Sequence, residues 1–93
     1  MKNAADILED MAKTFRERNA LYGNNYHHFG EMMVALFPRP LTISTEEEWN
    51  RLALLLQVQI KVSRYAQQFP TGGHQDSAHD AGVYSAMLEE LTP

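Results

Sequence analysis

The segment between residues 44 and 69 most constrains how this chain can fold, because its apolar residues recur at helical spacing on two separate sides. On a helix with about 100° per residue, one side carries Leu54, Val58, Val62, Tyr65 and Phe69, with Leu55 and Ala66 beside them. The other side carries Trp49, Ala53, Leu56 and Ile60. A helix that is apolar on two sides is expected to be covered on both. We therefore expect this helix to be the centre of a homo-oligomer; the alternative is that it is the central helix of a monomeric bundle.

Three further segments show helical periodicity, and none shows the alternation of a strand. We predict helices over about 3–18, 24–37, 44–69 and 76–91, with breaks at Gly23 and Pro38 and at the PTGG sequence after Phe69. The predicted N-terminal caps are Asn3, Asn24 or Asn25, Ser44 in a capping box with Glu47, and Asp76. The sequence thus predicts a single all-α domain over residues 1–93, with about four helices in a hairpin or bundle.

The length and composition of the chain exclude several classes of protein. A chain of 93 residues buries only about 60–65% of its unfolded surface, so association with another chain is a common source of added stability. The chain has no cysteine and therefore neither disulfides nor thiolate metal sites. Its net charge of −4 argues against binding to a nucleic-acid polymer.

The distribution of apolar residues also predicts where the protein works. No segment approaches the roughly 20 apolar residues of a membrane span, so we expect no membrane association. The N-terminal sequence MKNAADILEDMAK lacks the apolar run of a signal peptide. We therefore expect a cytoplasmic protein.

A polar stripe lies between the two apolar sides of the third predicted helix, and it contains Asn50, Gln57, Lys61, Arg64 and Gln68. Cations between two covered faces need partners. Asp76 and Asp80 on the fourth predicted helix are the expected partners, because the PTGGHQ turn folds that helix back along the end of the third. Asp80 also falls on the apolar face of the fourth helix.

Two interpretations of these charges remain open. In the structural one, Asp80 pairs with Lys61 or Arg64 and fixes the last two helices together. In the functional one, the four side chains line a cleft for a phosphate-bearing ligand. Lys61 and Arg64 would bind phosphate, and Asp76 and Asp80 could hold Mg²⁺ through their oxygens.

Other residues near these charges are further candidates for ligand contacts. His74 adjoins the expected cleft and could contact phosphate or donate a proton, and tyrosines could stack on a base. The Tyr22–Gly23–Asn24–Asn25 sequence is either a simple turn or a loop that closes over the cleft. The candidate ligand-binding residues are Lys61, Arg64, Asp76, Asp80, Tyr84, Tyr22, Asn25, Gln57 and His74, with Tyr26 as another stacking candidate.

Three stretches of the chain, RERNALYGNNYHHFG, KVSRYAQ and DSAHDAGVYSAMLEEL, resemble a family of small phage and prophage proteins of unestablished function. The family's pattern is R-x-x-x-YG-x-N, then K-x-x-R, then D-x-x-x-D-x-x-x-Y. The matching residues here are Arg18, Tyr22, Gly23 and Asn25, then Lys61 and Arg64, then Asp76, Asp80 and Tyr84. A phage origin would place the protein in the host-cell cytoplasm.

The family is in turn distantly similar to the all-α MazG-type nucleotide pyrophosphohydrolases. Those enzymes bind magnesium and a nucleoside triphosphate through E-E-x-x-E on one helix and E-x-x-D on the next. This chain departs from that pattern, because its consecutive Glu46, Glu47 and Glu48 form no E-E-x-x-E. The corresponding positions deeper in the helix carry Gln57, Lys61 and Arg64 instead.

The exchange of carboxylates for cations favours binding of a nucleotide over its hydrolysis. The resemblance therefore implies an anti-defence protein that sequesters a nucleotide or nucleotide-derived signal without cleaving it. One alternative is a MazG-like, metal-dependent pyrophosphohydrolase. The second alternative is a structural or interaction module with no small ligand.

Overall fold

All 93 residues are described by a computed structural model, and its secondary structure is entirely helical. The elements are helix α1 (Ala4–Tyr22), a 3₁₀ turn (Asn25–His28), α2 (Phe29–Leu36), α3 (Glu46–Gln67), a second 3₁₀ turn (Phe69–Thr71) and α4 (Gln75–Leu91). The predicted all-α fold with four helices is confirmed. No helix is long and apolar enough to cross a membrane.

Helix α1 begins as predicted and ends later than predicted. The Asn3 side chain accepts a hydrogen bond from the Asp6 N–H at 2.9 Å, and the Asp6 carboxylate accepts one from the Asn3 N–H at 3.2 Å. This reciprocal pair satisfies two of the free N–H groups at the helix start. The helix continues past Arg18 to Tyr22 and stops at Gly23, whose φ of 64° is unfavourable for residues with a side chain.

The cap of α3 lies one residue beyond the predicted one. Thr45, not Ser44, caps the helix: its Oγ1 accepts from the Glu48 N–H at 3.1 Å, while Glu48 Oε1 accepts from the Thr45 N–H at 3.2 Å. Ser44 with Glu47 and Thr45 with Glu48 both match the capping-box pattern. Because the pattern occurs twice, spacing alone does not choose between the two positions.

The single helix predicted over 24–37 is interrupted in the structure. A 3₁₀ turn covers Asn25–His28, and α2 begins only at Phe29. His28 adopts φ −112° and ψ 1°, which departs from helical geometry between the two elements. Asn24 precedes the turn without forming a side-chain cap, and the Asn25 side chain is buried instead.

Helices α3 and α4 form a hairpin that is the main packed unit of the chain. The segment between α2 and α3 lies against this hairpin, and apolar side chains from all three parts meet around a shallow hollow. These side chains are Phe37, Leu41 and Ile43 of the segment, Leu52 and Leu55 of α3, and Leu88 of α4.

The chain is more open than a compact monomer of its size. Its accessible surface is 7199 Å², whereas about 5,500 Å² is expected for a folded monomer of this mass. Its radius of gyration is 16.3 Å, against about 12 Å for a compact domain. Only Asn25 and Ser77 are buried, and every residue of α1 from Ala4 to Arg18 is exposed. The exposed large apolar side chains include Leu8, Met11 and Phe15 of α1 and Trp49 of α3.

Replacing Gly73 by alanine tests the turn that folds α4 back along α3. Gly73 has φ 90°, and an added Cβ would lie 2.5 Å from the Tyr65 ring. We expect Gly73→Ala to lower the free energy of unfolding by about 2 kcal/mol or more, because backbone strain and a steric clash add together. Urea denaturation followed by circular dichroism measures this.

Gly82→Ala is the matched control, because Gly82 lies in the interior of α4 with nothing within 4 Å of an added Cβ. Its expected effect is stabilisation by about 0.5–1 kcal/mol. Equal stability of the two variants would contradict this account of the turn.

Candidate functional site

A cleft of about 230 Å³ lies where the end of α1, the first 3₁₀ turn and α3 meet; we call it the α1–α3 cleft. Its lining combines aromatic, amide and cationic side chains. The lining residues are Phe15, Arg18, Asn19, Tyr22, Gly23, Asn25, Tyr26, Phe29, Ile60 and Arg64. The cleft therefore gathers all four residues of the R-x-x-x-YG-x-N motif and the arginine of K-x-x-R.

Tyr22 connects three helices at one edge of the cleft. The Arg64 guanidinium of α3 lies over the Tyr22 ring at 4.9 Å from its centroid. The His74 ring, at the start of α4, meets Tyr22 edge-on with a centroid separation of 5.7 Å. A cation over an aromatic face contributes about 0.5–2 kcal/mol, depending on how far it is desolvated.

Gly23 allows the chain to leave α1 close to the end of α3. An added Cβ at Gly23 would lie 2.9 Å from the Gln67 side-chain oxygen, in addition to the strain of its positive φ. The Gln68 side-chain amide also donates to the Leu21 carbonyl at the end of α1. These contacts fix the end of α1, and with it the cleft, although the rest of the helix projects away.

In two side-chain amides of the cleft, one buried atom has no hydrogen-bond partner in the protein. The Asn25 side chain is only 7% exposed, and its Nδ2 donates to no acceptor. The Asn19 Oδ1 is also buried and accepts no hydrogen bond. A buried polar group without a partner costs about 1–3 kcal/mol, and a bound water or ligand would remove that cost.

The two arginines of the cleft also have no carboxylate partner. The salt bridges of the chain join Lys2 to Asp10, His28 to Glu31 and Lys61 to Asp80, and none involves Arg18 or Arg64. The positive charge that faces the cleft is therefore not neutralised by a neighbouring acid. Guanidinium groups in this state are suited to phosphate or carboxylate oxygens.

Lys61 and Asp80 form the ion pair that the structural interpretation of the sequence predicts. Lys61 Nζ lies 3.5 Å from Asp80 Oδ2, across the interface of α3 and α4. The Lys61 side chain is 14% exposed and that of Asp80 is 45% exposed. Asp80 thus sits on the inner side of α4 because it neutralises a largely covered ammonium group on α3. Arg64, the other predicted partner, contacts Tyr22 instead.

The predicted cap at Asp76 is wrong, because His74 caps α4. The His74 Nδ1 accepts from the Ser77 N–H at 3.3 Å and lies 2.6 Å from the Ser77 hydroxyl. Gly72 and Gly73 both have positive φ, and His74, which follows them, is extended. The helix therefore starts at Gln75. Asp76 is exposed in the first helical turn, where its charge still suits the positive end of the helix.

The two predicted metal ligands, Asp76 and Asp80, have different surroundings. The ammonium group of Lys61 occupies the neighbourhood of the Asp80 carboxylate, and Asp76 points into solvent from the first turn. No group of three or more histidine, aspartate or glutamate side chains lies close enough together to hold a metal ion. Binding of Mg²⁺ by Asp76 and Asp80 together with water and a ligand phosphate stays a prediction.

The candidate ligand-binding residues lie in two separate regions, and three of them lie in neither. Tyr22, Asn25 and Arg64 line the α1–α3 cleft, and His74 contacts it through Tyr22. Lys61 and Asp80 lie on the α4 side of α3. Gln57 and Tyr84 are half-buried, and neither they nor Asp76 line the cleft.

Asn19 belongs to the cleft but was not among the sequence candidates. A signal for it exists, because Phe15, Asn19 and Tyr22 follow one another at helical spacing, and this places their side chains on one face. Because the first helix was predicted to end at Arg18, Asn19 fell outside it, and the face that Asn19 shares with Phe15 and Tyr22 was not recognised. Extending that helix by one turn would have placed Asn19 beside Arg18 and Tyr22.

Comparisons with protein-family models, with curated proteins and with solved structures give no match to this chain.

Replacing Asp80 tests the role of the ion pair. We expect Asp80→Asn to lower the free energy of unfolding by about 1 kcal/mol, because the carboxylate is nearly half exposed and solvent screens the pair. Urea denaturation measures the change. Asp76→Asn serves as the control and should have a smaller effect, because Asp76 forms no ion pair. A loss of several kcal/mol in Asp80→Asn would contradict a screened pair.

Proposed function

We propose that this protein binds the phosphate-bearing part of a nucleotide or nucleotide-derived signal in the α1–α3 cleft and holds it without cleaving it. The observation that carries this proposal is the set of unpartnered polar groups in the cleft. Asn19 offers an acceptor and Asn25 a donor, both buried, beside the unneutralised guanidinium groups of Arg18 and Arg64. A ligand with anionic oxygens and a donor group would satisfy all four.

The aromatic residues of the cleft suggest where a base would stack. Arg64 covers one face of Tyr22, so that ring is partly occupied. Tyr26 and Phe15 are 48% and 51% exposed and contact each other edge-on with a centroid separation of 6.1 Å. Base stacking on such rings contributes about 1–3 kcal/mol per base. Tyr26 also meets the His27 ring edge-on, with a centroid separation of 4.4 Å. We therefore assign base contact to the exposed parts of Phe15 and Tyr26, and phosphate contact to Arg18 and Arg64.

The lining of the cleft favours sequestration over hydrolysis. None of its ten residues is an aspartate, a glutamate or a histidine. A general base within hydrogen-bonding reach of the attacking water is a common requirement of hydrolysis, and the cleft supplies none. The resemblance to phage proteins gives this activity a role: removal of a nucleotide signal used in host defence.

Self-association is part of the proposed function. The cleft of about 230 Å³ is smaller than the roughly 300–1,000 Å³ of typical ligand sites. A single chain therefore encloses only part of a nucleotide. A second chain at the exposed side of the cleft, near Phe15, would enclose the remainder.

A thermal-shift screen against nucleoside triphosphates, cyclic oligonucleotides and ADP-ribose derivatives tests the proposal. A ligand at 100 times its Kd adds about 2.7 kcal/mol of stability, which raises the Tm measurably. We expect at least one nucleotide to raise the Tm and to be recovered intact after the protein is denatured. Recovery of a cleaved product would favour a pyrophosphohydrolase. The absence of a shift with every ligand would favour an interaction module.

Substitution of Arg64 tests where the ligand binds. We expect Arg64→Gln to weaken binding by about tenfold or more, because a charge-assisted hydrogen bond contributes about 1.5–3 kcal/mol. Isothermal titration calorimetry measures the change in Kd. Arg39→Gln is the matched control, since Arg39 is exposed in the segment between α2 and α3 and does not line the cleft. An equal loss in both variants would point to a general charge effect.

Substitution of Asn25 separates binding from stability. Asn25→Leu replaces an unpartnered buried amide with an apolar side chain of similar size. We expect the free protein to unfold at the same or a higher urea concentration, because no hydrogen bond is lost. Ligand binding should weaken. If the variant is destabilised and its affinity is unchanged, Asn25 supports the fold and does not contact a ligand.

A further inference from the structure

The buried acceptor of Asn19 is a feature of the α1–α3 cleft that a phosphate group alone does not satisfy. The Asn19 Oδ1 accepts no hydrogen bond within the chain. Ionised phosphate oxygens accept hydrogen bonds and donate none, so they can pair with Arg18, Arg64 and the Asn25 amide but not with Asn19 Oδ1. A ligand that satisfies the whole cleft therefore brings an O–H or N–H donor in addition to its anionic oxygens.

Asn25 presents the opposite kind of group in the same cleft. Its side chain is 7% exposed, and its Nδ2 donates to no acceptor within the chain. The cleft thus holds one buried acceptor, on Asn19 of α1, and one buried donor, on Asn25 of the first 3₁₀ turn. A hydroxyl group both donates and accepts a hydrogen bond. Two neighbouring hydroxyl groups would satisfy both side chains, and the ribose of a ribonucleotide carries such a pair.

The position of Asn19 along α1 favours a sugar hydroxyl over the amino group of a base. Phe15, Asn19 and Tyr22 all line the cleft, and the seven residues from Phe15 to Tyr22 span roughly 10 Å of helix. Phe15 is the proposed base contact at one end, and the Arg64 guanidinium over the Tyr22 ring is the proposed phosphate contact at the other. Asn19 lies between these two ends, as the sugar of a nucleotide lies between its base and its phosphate.

We propose that the α1–α3 cleft selects ribonucleotides, and that Asn19 and Asn25 bind the 2′- and 3′-hydroxyl groups of the ribose. Asn19 Oδ1 accepts a hydrogen bond from one hydroxyl, and Asn25 Nδ2 donates to the other. This inference rests on the proposed function, because it requires a nucleotide in the same cleft. It makes the two asparagines the residues that determine specificity, whereas Arg18 and Arg64 contribute affinity through their charge.

The burial of the two amides makes the hydroxyl groups decisive for affinity. A deoxyribonucleotide that fills the cleft lacks one hydroxyl and leaves one buried amide atom without a partner, at a place from which the ligand excludes water. Sites built to hydrogen-bond a hydroxyl group reject the analogue that lacks it for this reason. Arg18 is exposed and would contact the phosphate of either nucleotide, so it does not contribute to this selection.

Matched nucleotides test the selection. AMP, GMP, CMP and UMP are each compared with their 2′-deoxy and 3′-deoxy counterparts by isothermal titration calorimetry. We expect at least one ribonucleotide to bind, and removal of a hydroxyl from it to raise the Kd by about tenfold or more, because a buried amide loses its partner. Equal Kd values for the ribonucleotide and both of its deoxy analogues would overturn the proposal.

Substitution of the asparagines tests which residues make the selection, and its readout is the ratio of the deoxyribonucleotide Kd to the ribonucleotide Kd. We expect Asn19→Leu to bind both nucleotides with similar Kd, because no acceptor is left to be unpaired. Asn25→Leu is the second variant and should lower the ratio in the same way. Damage to the fold would weaken both nucleotides together and leave the ratio unchanged, and an unchanged ratio in both variants overturns the proposal.

Asn24→Leu is the matched control, because Asn24 is exposed beside Asn25 and does not line the cleft. We expect it to retain the ratio of the wild-type protein. A loss of the ratio in Asn24→Leu equal to that in Asn25→Leu would show that the turn, and not the buried amide, makes the selection, and would overturn the role of Asn25.

Failure of this inference can be distinguished from failure of the proposed function. If a ligand of the thermal-shift screen binds but no monophosphate does, or if the deoxy analogues bind as well as their parents, the cleft does not recognise ribose and this inference alone is overturned. If neither the screen nor the monophosphates give binding, the proposed function is overturned with it.

Discussion

The packing of Tyr22 between Arg64 and His74 is the contact on which the arrangement of the helices depends. Tyr22 is the last residue of α1, Arg64 lies in the last turn of α3, and His74 caps α4. Two further links join the end of α1 to the end of α3: the Gln68 side-chain amide donates to the Leu21 carbonyl, and Gly23 lies close to the Gln67 side chain. The same side chains border the cleft, so the joint between the helices and the candidate ligand site are one structure. A ligand bound to Arg64 would therefore also affect the orientation of α1.

The sequence predicts the fold well where local signals are unique. Asn3 with Asp6 caps α1, and α4 ends at Leu91 as its periodicity indicates. Errors arise where two signals compete, as for Ser44 and Thr45, or where an unusual residue caps a helix, as His74 does through a ring nitrogen. The pairing of Asp80 with Lys61 was also foreseeable, because a carboxylate on an apolar helix face needs a nearby cation.

The position of the candidate site was only half predictable, for a geometric reason. Lys61 and Arg64 belong to one polar stripe, yet three residues separate their directions by about 60° around the helix. That angle is enough for Lys61 to face α4 while Arg64 faces the end of α1. Periodicity places both residues on one helix but does not reveal which neighbour covers each side. The positive φ of Gly23 turns the chain at the end of α1, where Tyr22 meets Arg64, and no periodic pattern encodes that conformation.

The duplicated capping signal at the start of α3 gives that helix a form of redundancy. Ser44 and Thr45 are each followed three residues later by a glutamate, so the helix can begin at either of two adjacent residues with a complete cap. If substitution removes the Thr45 hydroxyl, the Ser44 and Glu47 pair remains to take its place one residue earlier. We therefore expect the longest helix of the chain to lose less than the about 1 kcal/mol that removal of a cap costs elsewhere. Substitutions at Ser44 or Thr45 should therefore change the stability of the protein little, whereas no neighbouring residue can replace Gly23 or Gly73.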